Sequence, residues 1–468
     1  MNVLLINPLT PERRMIHNTP NLGLGYLAAA LRKRGFHVDM CDGMKTGMSY
    51  EKLRQRLLRG DYDVAGVQVL TCTVKRAKAV LGMIKGLNPE IITVIGGPHP
   101  SGDPEGVLND IREADFSFRG EGEEGLPELL KKLRGDKNMD FADIHNLVWR
   151  VNGKVIANPL QPVQDLDSVG LPSWDLINPH EYPYSPIGAF ARRCPLTTIS
   201  CSRGCAHSCT FCANTRIMGK QLRTRGKASI LEEIRLLYSM YGIREFQIVD
   251  DCFTSNKQNA IDVCREIIKS GLDISISFPN GVRIESLDEE LLHYLELAGC
   301  YSLGMAIESG SQRIMDHMRR GQTLALVEEK VSLVKKTSKI RMSGFFIIGY
   351  PEEEEDDILR TIGFAKKLPL HRANFTLWMP VPGSEMTERL RKDGRLKDLD
   401  TDNVVINKIS WAPGKIEKDR IRKLFIKAYS SFYLRPKILI GLLTEIRNFE
   451  QLKFILSRVF CLFSLKSG

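Results

Sequence analysis

Residues 199–212 read ISCSRGCAHSCTFC and follow directly on the β-prone run LTT at 196–198. Within them Cys205, Cys209 and Cys212 form a C-x3-C-x2-C array at the end of what the pattern makes a strand. Thiolates this close in sequence converge on one metal centre, and soft sulfur ligands favour an iron-sulfur cluster or zinc. Zinc would take a fourth ligand, for which Cys201 and His207 stand nearby. Three thiolates on a cubane cluster would leave one iron open to a substrate or cofactor, which suits catalysis. The chain has eleven cysteines, five of them between Cys194 and Cys212, and opens MNVLLINPLTPERR, without the basic and apolar regions of a signal peptide. A metal site in a reducing, cytoplasmic compartment is expected, not a disulfide framework.

Downstream of the array, strand-like runs alternate with helical ones: EFQIVDD, SISFPNGV, YSLGMAIES, MSGFFIIGY and ANFTLWMPV. Counted with LTTISC they make six strand-plus-helix steps. The spacing predicts a curved parallel array, a partial (β/α)6 barrel over 193–395, with its chemistry at the carboxyl ends of the strands. Upstream, VLLINP, HVDMCDG, DVAGVQVL and IITVIGG alternate with helical periodicity over 1–140. That is the pattern of a doubly wound, Rossmann-like parallel sheet, so the whole chain reads as α/β. Such sheets bind ligands beyond the carboxyl ends of their strands, where Asn7-Pro8, Gly96-Gly97-Pro98-His99 and Gly120-Glu121-Gly122 fall. Taken singly, these glycines need only supply tight turns. Residues 141–192 carry a hairpin, NLVWRVNGKVIANP, and then a Pro- and Asp-rich linker that packs. The remaining 396–468 read as helical, apolar and basic.

Hydrophobic residues make up 43% and charged residues 26% of the 468, an ordinary globular composition that excludes disorder and a multi-span membrane protein. The net charge is +10, but residues 415–468 hold twelve Lys/Arg against four Asp/Glu, so most of the excess is in the tail. A nucleic-acid groove over the body of the protein is not expected. In the tail, apolar positions recur at helical intervals, at Leu424, Tyr429, Phe432 and Tyr433, then at Leu452, Phe454, Ile455, Val459 and Phe463. Arg435, Lys437, Arg447, Lys453 and Arg458 are interleaved with them. The first of these helices, to Tyr433, is expected to close the bottom of the barrel or pack on the linker. The segment after Pro436 suits peripheral contact with the anionic inner face of a membrane, and with it a lipid-like substrate.

The ordered set of motifs resembles the radical S-adenosylmethionine (SAM) enzymes that carry an N-terminal cobalamin-binding domain. PNLGLGYLAAALRKRGFHV, IGGPHPSGDPE and FRGEGEEGLPELL look like the cobalamin half; SRGC, VDDCFTSN, GMAIESGSQRIMDHMRRGQT and GFFIIGYPEE match the barrel half. The resemblance implies a 4Fe-4S cluster on Cys205, Cys209 and Cys212, with Phe211 as the aromatic residue before the last cysteine. It implies SAM held by Asp250 and Asp251 through its ammonium, Arg283 through its carboxylate, Glu308 through its ribose, and Ile347, Gly349 and Glu352 around adenine. Phe345 stands where that last pattern has its first glycine. Asn7, Pro8, Gly96, Gly97, Gly120 and Glu121 are the implied cobalamin contacts. No D-x-H-x-x-G string supplies an axial histidine, and neither His17 nor His99 has the needed spacing, so cobalamin would bind without one; the alternative is a degenerate domain that no longer binds cobalamin.

What the family implies is reduction by a flavodoxin- or ferredoxin-type donor, SAM cleavage, removal of a hydrogen atom from an unactivated carbon, and methyl transfer to a small-molecule substrate. Cyclisation or rearrangement of a tetrapyrrole or antibiotic precursor is the alternative. A methylthiotransferase is less fitting, since only Cys41 and Cys72 precede residue 194 and the C-terminus reads as helix. Cys41, Cys72, Cys264, Cys300 and Cys461 read as small core residues. Phe278, Trp378 and Met379 are expected to line an apolar part of the barrel pocket.

Overall fold

The computed structural model describes residues 1–9, 18–135, 140–188, 190–396, 400–401, 404–405, 408–446 and 449–463. His17 and Arg447 lie outside them, and the side chains of Arg458, Val459, Cys461 and Phe463 are likewise not described.

The first sheet is built from β1 (Asn2–Asn7), β2 (His37–Asp42), β3 (Val64–Gln68), β4 (Ile92–Gly96), β5 (Phe116–Phe118), β6 (Leu147–Val151) and β7 (Lys154–Ala157), in the order β2-β1-β3-β4-β5-β6-β7. The first five pair in parallel. Helices cover both faces, so Val3, Leu4, Leu5 and Ile6 are all fully buried, which is why β1 reads as an unbroken apolar run. The chain leaves β1 for β2 on one side and continues with β3 on the other, which opens the ligand-binding crevice of a doubly wound sheet beside Asn7. The hairpin β6–β7 extends this sheet in antiparallel fashion and is not confined to a linker. Its Asn152-Gly153 turn has positive φ at both residues (50° and 76°), the geometry such two-residue loops need. Edge-to-face contacts from Phe141 to Phe116 and Trp149 hold it there.

The second sheet contains β8 (Leu196–Ile199), β11 (Glu245–Ile248), β12 (Ser275–Val282), β13 (Cys300–Glu308), β14 (Arg341–Ile348) and β15 (Arg372–Leu377), all parallel and in sequence order. Between β8 and β11 lies a short antiparallel pair, β9 (Ser202–Arg203) and β10 (Arg223–Thr224). These six main strands are the six read from the sequence. The sheet does not close, and β8 and β15 are its edges.

The helix Lys418–Tyr433 covers the β15 edge and not the bottom of the barrel. Tyr433 and Tyr429 are four residues apart, about 6 Å along a helix, close to the spacing of alternate residues on a strand. Each hydroxyl meets the backbone of one strand residue: Tyr433 accepts from Ala373 N (3.2 Å) and donates to Ala373 O (2.8 Å). Tyr429 does the same at Phe375 N (3.3 Å) and Phe375 O (2.9 Å). An edge that would otherwise invite pairing with another chain is thereby satisfied. Tyr433→Phe keeps the ring and removes both bonds to Ala373, which is almost fully buried. It is expected to lower the unfolding free energy by about 1–3 kcal/mol in urea titrations; an unchanged midpoint would show that the hydroxyl does not protect the edge.

Candidate functional site

The three cysteines occupy the loop between β9 and the helix Asn214–Ile217. At its start Gly204 has φ 91°, and a Cβ there would lie 2.1 Å from Gln221 O, so only glycine allows the loop to leave β9 beside the returning chain. Asp250, buried at the end of β11, accepts from Cys201 N (2.7 Å) and Ser202 Oγ (2.6 Å). Burial pushes its carboxyl up to about 7 against those bonds. Its side chain therefore anchors the entry to the loop. Cys201 is fully buried there, and its thiol is raised by burial.

The far side of the loop is fixed through Thr210. Its N donates to Met318 O (3.1 Å), its hydroxyl meets Tyr350 Oη (2.8 Å) and His317 O (3.1 Å), and its carbonyl accepts from Met386 N (2.8 Å). Phe211 packs with Ile314, Ile347, Tyr350 and Trp378. Cys209 Sγ lies 3.5 Å from Arg320 Nη1. Cys205 Sγ lies 3.2 Å from the sulfur of Cys252. The contact with Cys252 holds the Cys205 thiol below its ordinary value, while Cys252 is raised, by that contact first and by burial second.

A cavity of about 820 Å³ opens from this loop into the lumen of the second sheet. Of the residues read from the sequence it brings together Cys205, Cys209, Cys212, Phe211, Asp251, Arg283 and Glu308. Asp250, Ile347, Gly349 and Glu352 are not in its lining. Gly349 N and Tyr350 N donate to Glu353 (2.6 and 3.0 Å), so the carboxylate that fixes this turn is Glu353, next to the expected Glu352. Glu352 faces Arg395 at 3.7 Å. Glu308 has φ 73°, and the pairing of β13 with β14 shifts register just before it. Such an irregularity re-aims a side chain, here toward Arg320 and Arg283. Burial pushes the Glu308 carboxyl up, and those two guanidinium groups oppose the shift.

Phe345 also lines the cavity. A Cβ on Gly304 would come within 2.7 Å of its ring, and one on Gly281 within 3.2 Å, so glycines on the two preceding strands make room for it. Phe278 and Trp378 are buried in packing outside the cavity, and Met379 is likewise absent from its lining, so the apolar wall expected from these three is formed by other residues. Farther along, that wall comes from the C-terminal helices, with Phe425, Ile426, Tyr429, Leu439, Leu442 and Ile455.

The first sheet is docked onto this loop by buried charge. Arg203, in β9, pairs with Glu121 (2.9 Å) and Glu123 (2.8 Å) and lies over the Tyr26 ring, while Arg223 pairs with the other oxygen of Glu121 (2.7 Å). The carboxylate of Glu121, a residue expected among the cobalamin contacts, is thus engaged in docking the domains. Asn7 donates to Asp42 (2.8 Å), Pro8 continues the same strand end, and Gly97 (φ 109°) and Gly120 (φ 68°) make the turns after Gly96 and Arg119. His99 is buried beside Thr71, with Nδ1 3.3 Å from its hydroxyl, and burial lowers its pKa.

A B12-binding-domain model matches residues 16–130 and a radical SAM superfamily model residues 199–365. An uncharacterized methyltransferase of Pyrococcus horikoshii is 32% identical over 455 residues, 96% of both chains. The chain belongs to the B12-binding radical SAM enzymes. The cytidylyl-2-hydroxyethylphosphonate methyltransferase of Streptomyces wedmorensis is 29% identical, covering 84% of this chain and 82% of its own. The fold matches that of OxsB, a cobalamin-dependent SAM radical enzyme, with TM-score 0.76 at 19% identity over 99% of this chain and 72% of the other.

The residues fit the groups that this family name carries. Three thiols share one anchored loop and one cavity. A cubane takes one cysteine per iron and spreads its ligands in this way. Beside the loop, Arg283 Nε and Nη1 and Arg320 Nε are buried with no partner among the described residues, leaving capacity for an anionic group. Sequence reasoning missed Arg320 and Cys252. Arg320 is one of three arginines in the run QRIMDHMRRGQT, with nothing to single it out, whereas Cys252 directly follows Asp250-Asp251.

Glu121→Ala leaves Arg203 and Arg223 buried without this partner. It is expected to destabilise the protein by about 3–5 kcal/mol in chemical denaturation; a loss below about 1 kcal/mol, the scale of exposed pairs, would contradict the docking role.

Proposed function

We propose that this enzyme methylates an unactivated carbon of a hydrophobic, lipid-like small molecule, using a 4Fe-4S cluster, SAM and cobalamin. The observation that carries the reading is the cavity, which starts at the three cysteines and ends on the apolar faces of the C-terminal helices. When bound, the cluster and SAM supply hydrogen-atom abstraction, and cobalamin supplies the methyl group.

In this reading Cys205, Cys209 and Cys212 hold the cluster, and Asp250 and Thr210 keep their loop in place. Asp251 accepts from the SAM ammonium, Arg283 and Arg320 face its carboxylate, and Glu308 its ribose. Phe211 flanks the adenine, and Ile347 packs behind it, with the Gly349 turn fixed by Glu353. Asn7, Pro8, Gly96, Gly97 and Gly120 would shape the cobalamin crevice. A flavodoxin- or ferredoxin-type protein delivers the electrons.

The same helices suggest where the substrate comes from. Leu434 and Leu439 line the cavity and are also 69% and 41% exposed. On the same C-terminal helices Ile440, Leu443, Phe449 and Leu456 are exposed, together with Lys437 and Lys453. No helix among the described residues is long and apolar enough to cross a membrane. An apolar patch with basic neighbours suits an anionic bilayer surface, from which a lipid-like molecule could enter the cavity directly.

Anaerobic protein reconstituted with iron, sulfide and cobalamin, then reduced, is expected to release both 5'-deoxyadenosine and S-adenosylhomocysteine when its substrate is present. Deoxyadenosine without S-adenosylhomocysteine would favour cyclisation or rearrangement. Changing any one of Cys205, Cys209 or Cys212 to Ala is expected to abolish both products, whereas Cys201→Ala retains them. In vesicle co-sedimentation the full chain is expected to pellet with anionic liposomes at low salt, and the Leu443→Asp, Phe449→Asp double variant to stay in the supernatant. Equal partitioning of the two would remove the membrane reading.

A further inference from the structure

Cys252 is a buried cysteine that none of the roles above uses. It is 2% exposed, follows Asp251 at the carboxyl end of β11, and lines the cavity at the cysteine loop. Its sulfur lies 3.2 Å from Cys205 Sγ. Cys205 belongs to the C-x3-C-x2-C array, whereas Cys252 lies on a different element and is reached only through the fold. Their contact pairs a cluster ligand, which coordinates as a thiolate, with a sulfur that has no place in the array.

We infer that Cys252 remains a thiol and donates an S–H···S hydrogen bond to the Cys205 thiolate, which sets the reduction potential of the cluster. The inference rests on the cluster assignment made above. An electron added to a thiolate-ligated cluster is shared with its sulfurs, so a donor aimed at one of them stabilises the reduced state more than the oxidised one. The potential is therefore higher with the donor than without it. Cys252 is thus a positioning and tuning residue for electron entry and not a fourth ligand: its sulfur contacts another sulfur and leaves the open iron to SAM.

The test uses the full chain with its cluster reconstituted anaerobically. Iron and sulfide content is measured first, then the midpoint potential is titrated by electron paramagnetic resonance of the reduced cluster, with and without SAM. Cys252→Ala is expected to hold a full cluster whose signal still responds to SAM. Its reduction equilibrium should be about tenfold less favourable than wild type, a fall of ~59 mV for one electron. Cys252→Ser keeps a donor of similar reach and is expected to stay at or above the wild-type potential. A Cys252→Ala potential equal to wild type at equal cluster content would overturn the inference. Loss of the cluster in both variants would overturn it as well, since Cys252 would then be a ligand or a scaffold residue. Failure of the cluster assignment itself is separable, because wild-type protein would then hold no SAM-responsive cluster at all.

Discussion

A parallel sheet of six strands that does not close leaves an open lumen and two unpaired edges, and the rest of this molecule is arranged around that constraint. Tyr429 and Tyr433 satisfy the backbone of β15 at one edge. At the other end of the sheet, Gln247 in β11 accepts from Ile187 N (2.9 Å), so the linker lies against the strand next to β8. Over the carboxyl ends of the strands sits the first sheet, fastened by Arg203 and Arg223 to Glu121. The lumen that remains is walled by protein from several parts of the chain, and it begins at the loop that carries the cysteines. Exclusion of water from such a space is what reactive intermediates require.

The charges that fasten the domains are adjacent to the chemistry. Arg203 lies in β9, two residues before Cys205, so the strand that enters the cysteine loop is the one that grips the first sheet. The residue before it, Ser202, donates to Asp250. Docking and loop geometry are therefore coupled through three consecutive residues, Cys201 to Arg203. Stability is drawn from buried groups that are individually costly to desolvate, which is tolerable only because each has a charged or hydrogen-bonded partner.

Much of this was legible in the sequence. The order of the six barrel strands, the doubly wound first sheet, the Asn-Gly hairpin and the cysteine triad follow from periodicity, turn chemistry and spacing, which are local properties. Phe116–Phe118 is too short for periodicity to reveal, and the attachment of the hairpin to that strand depends on Phe141 and Trp149, contacts between distant segments. For the same reason the sequence pointed to Glu121 and Glu352 where tertiary packing uses Glu121 for docking and Glu353 for the Gly349 turn. Arg320 and Cys252 reach the loop only because β11 and the segment after β13 end beside it. Nothing in the residues themselves distinguishes an arginine or cysteine that arrives at a site from one that does not.

We propose that the cavity holds a hydrophobic molecule beside SAM and the cluster. Reconstituted, reduced enzyme supplied with methyl-deuterated SAM and a total lipid extract of its own cells tests it most directly, with products partitioned between organic and aqueous phases and read by mass spectrometry. A carbon-bound deuterated methyl group is expected in an organic-phase product, and none when Cys212 is changed to Ala. Transfer of the label only to water-soluble molecules, by an enzyme competent in SAM cleavage, would contradict it.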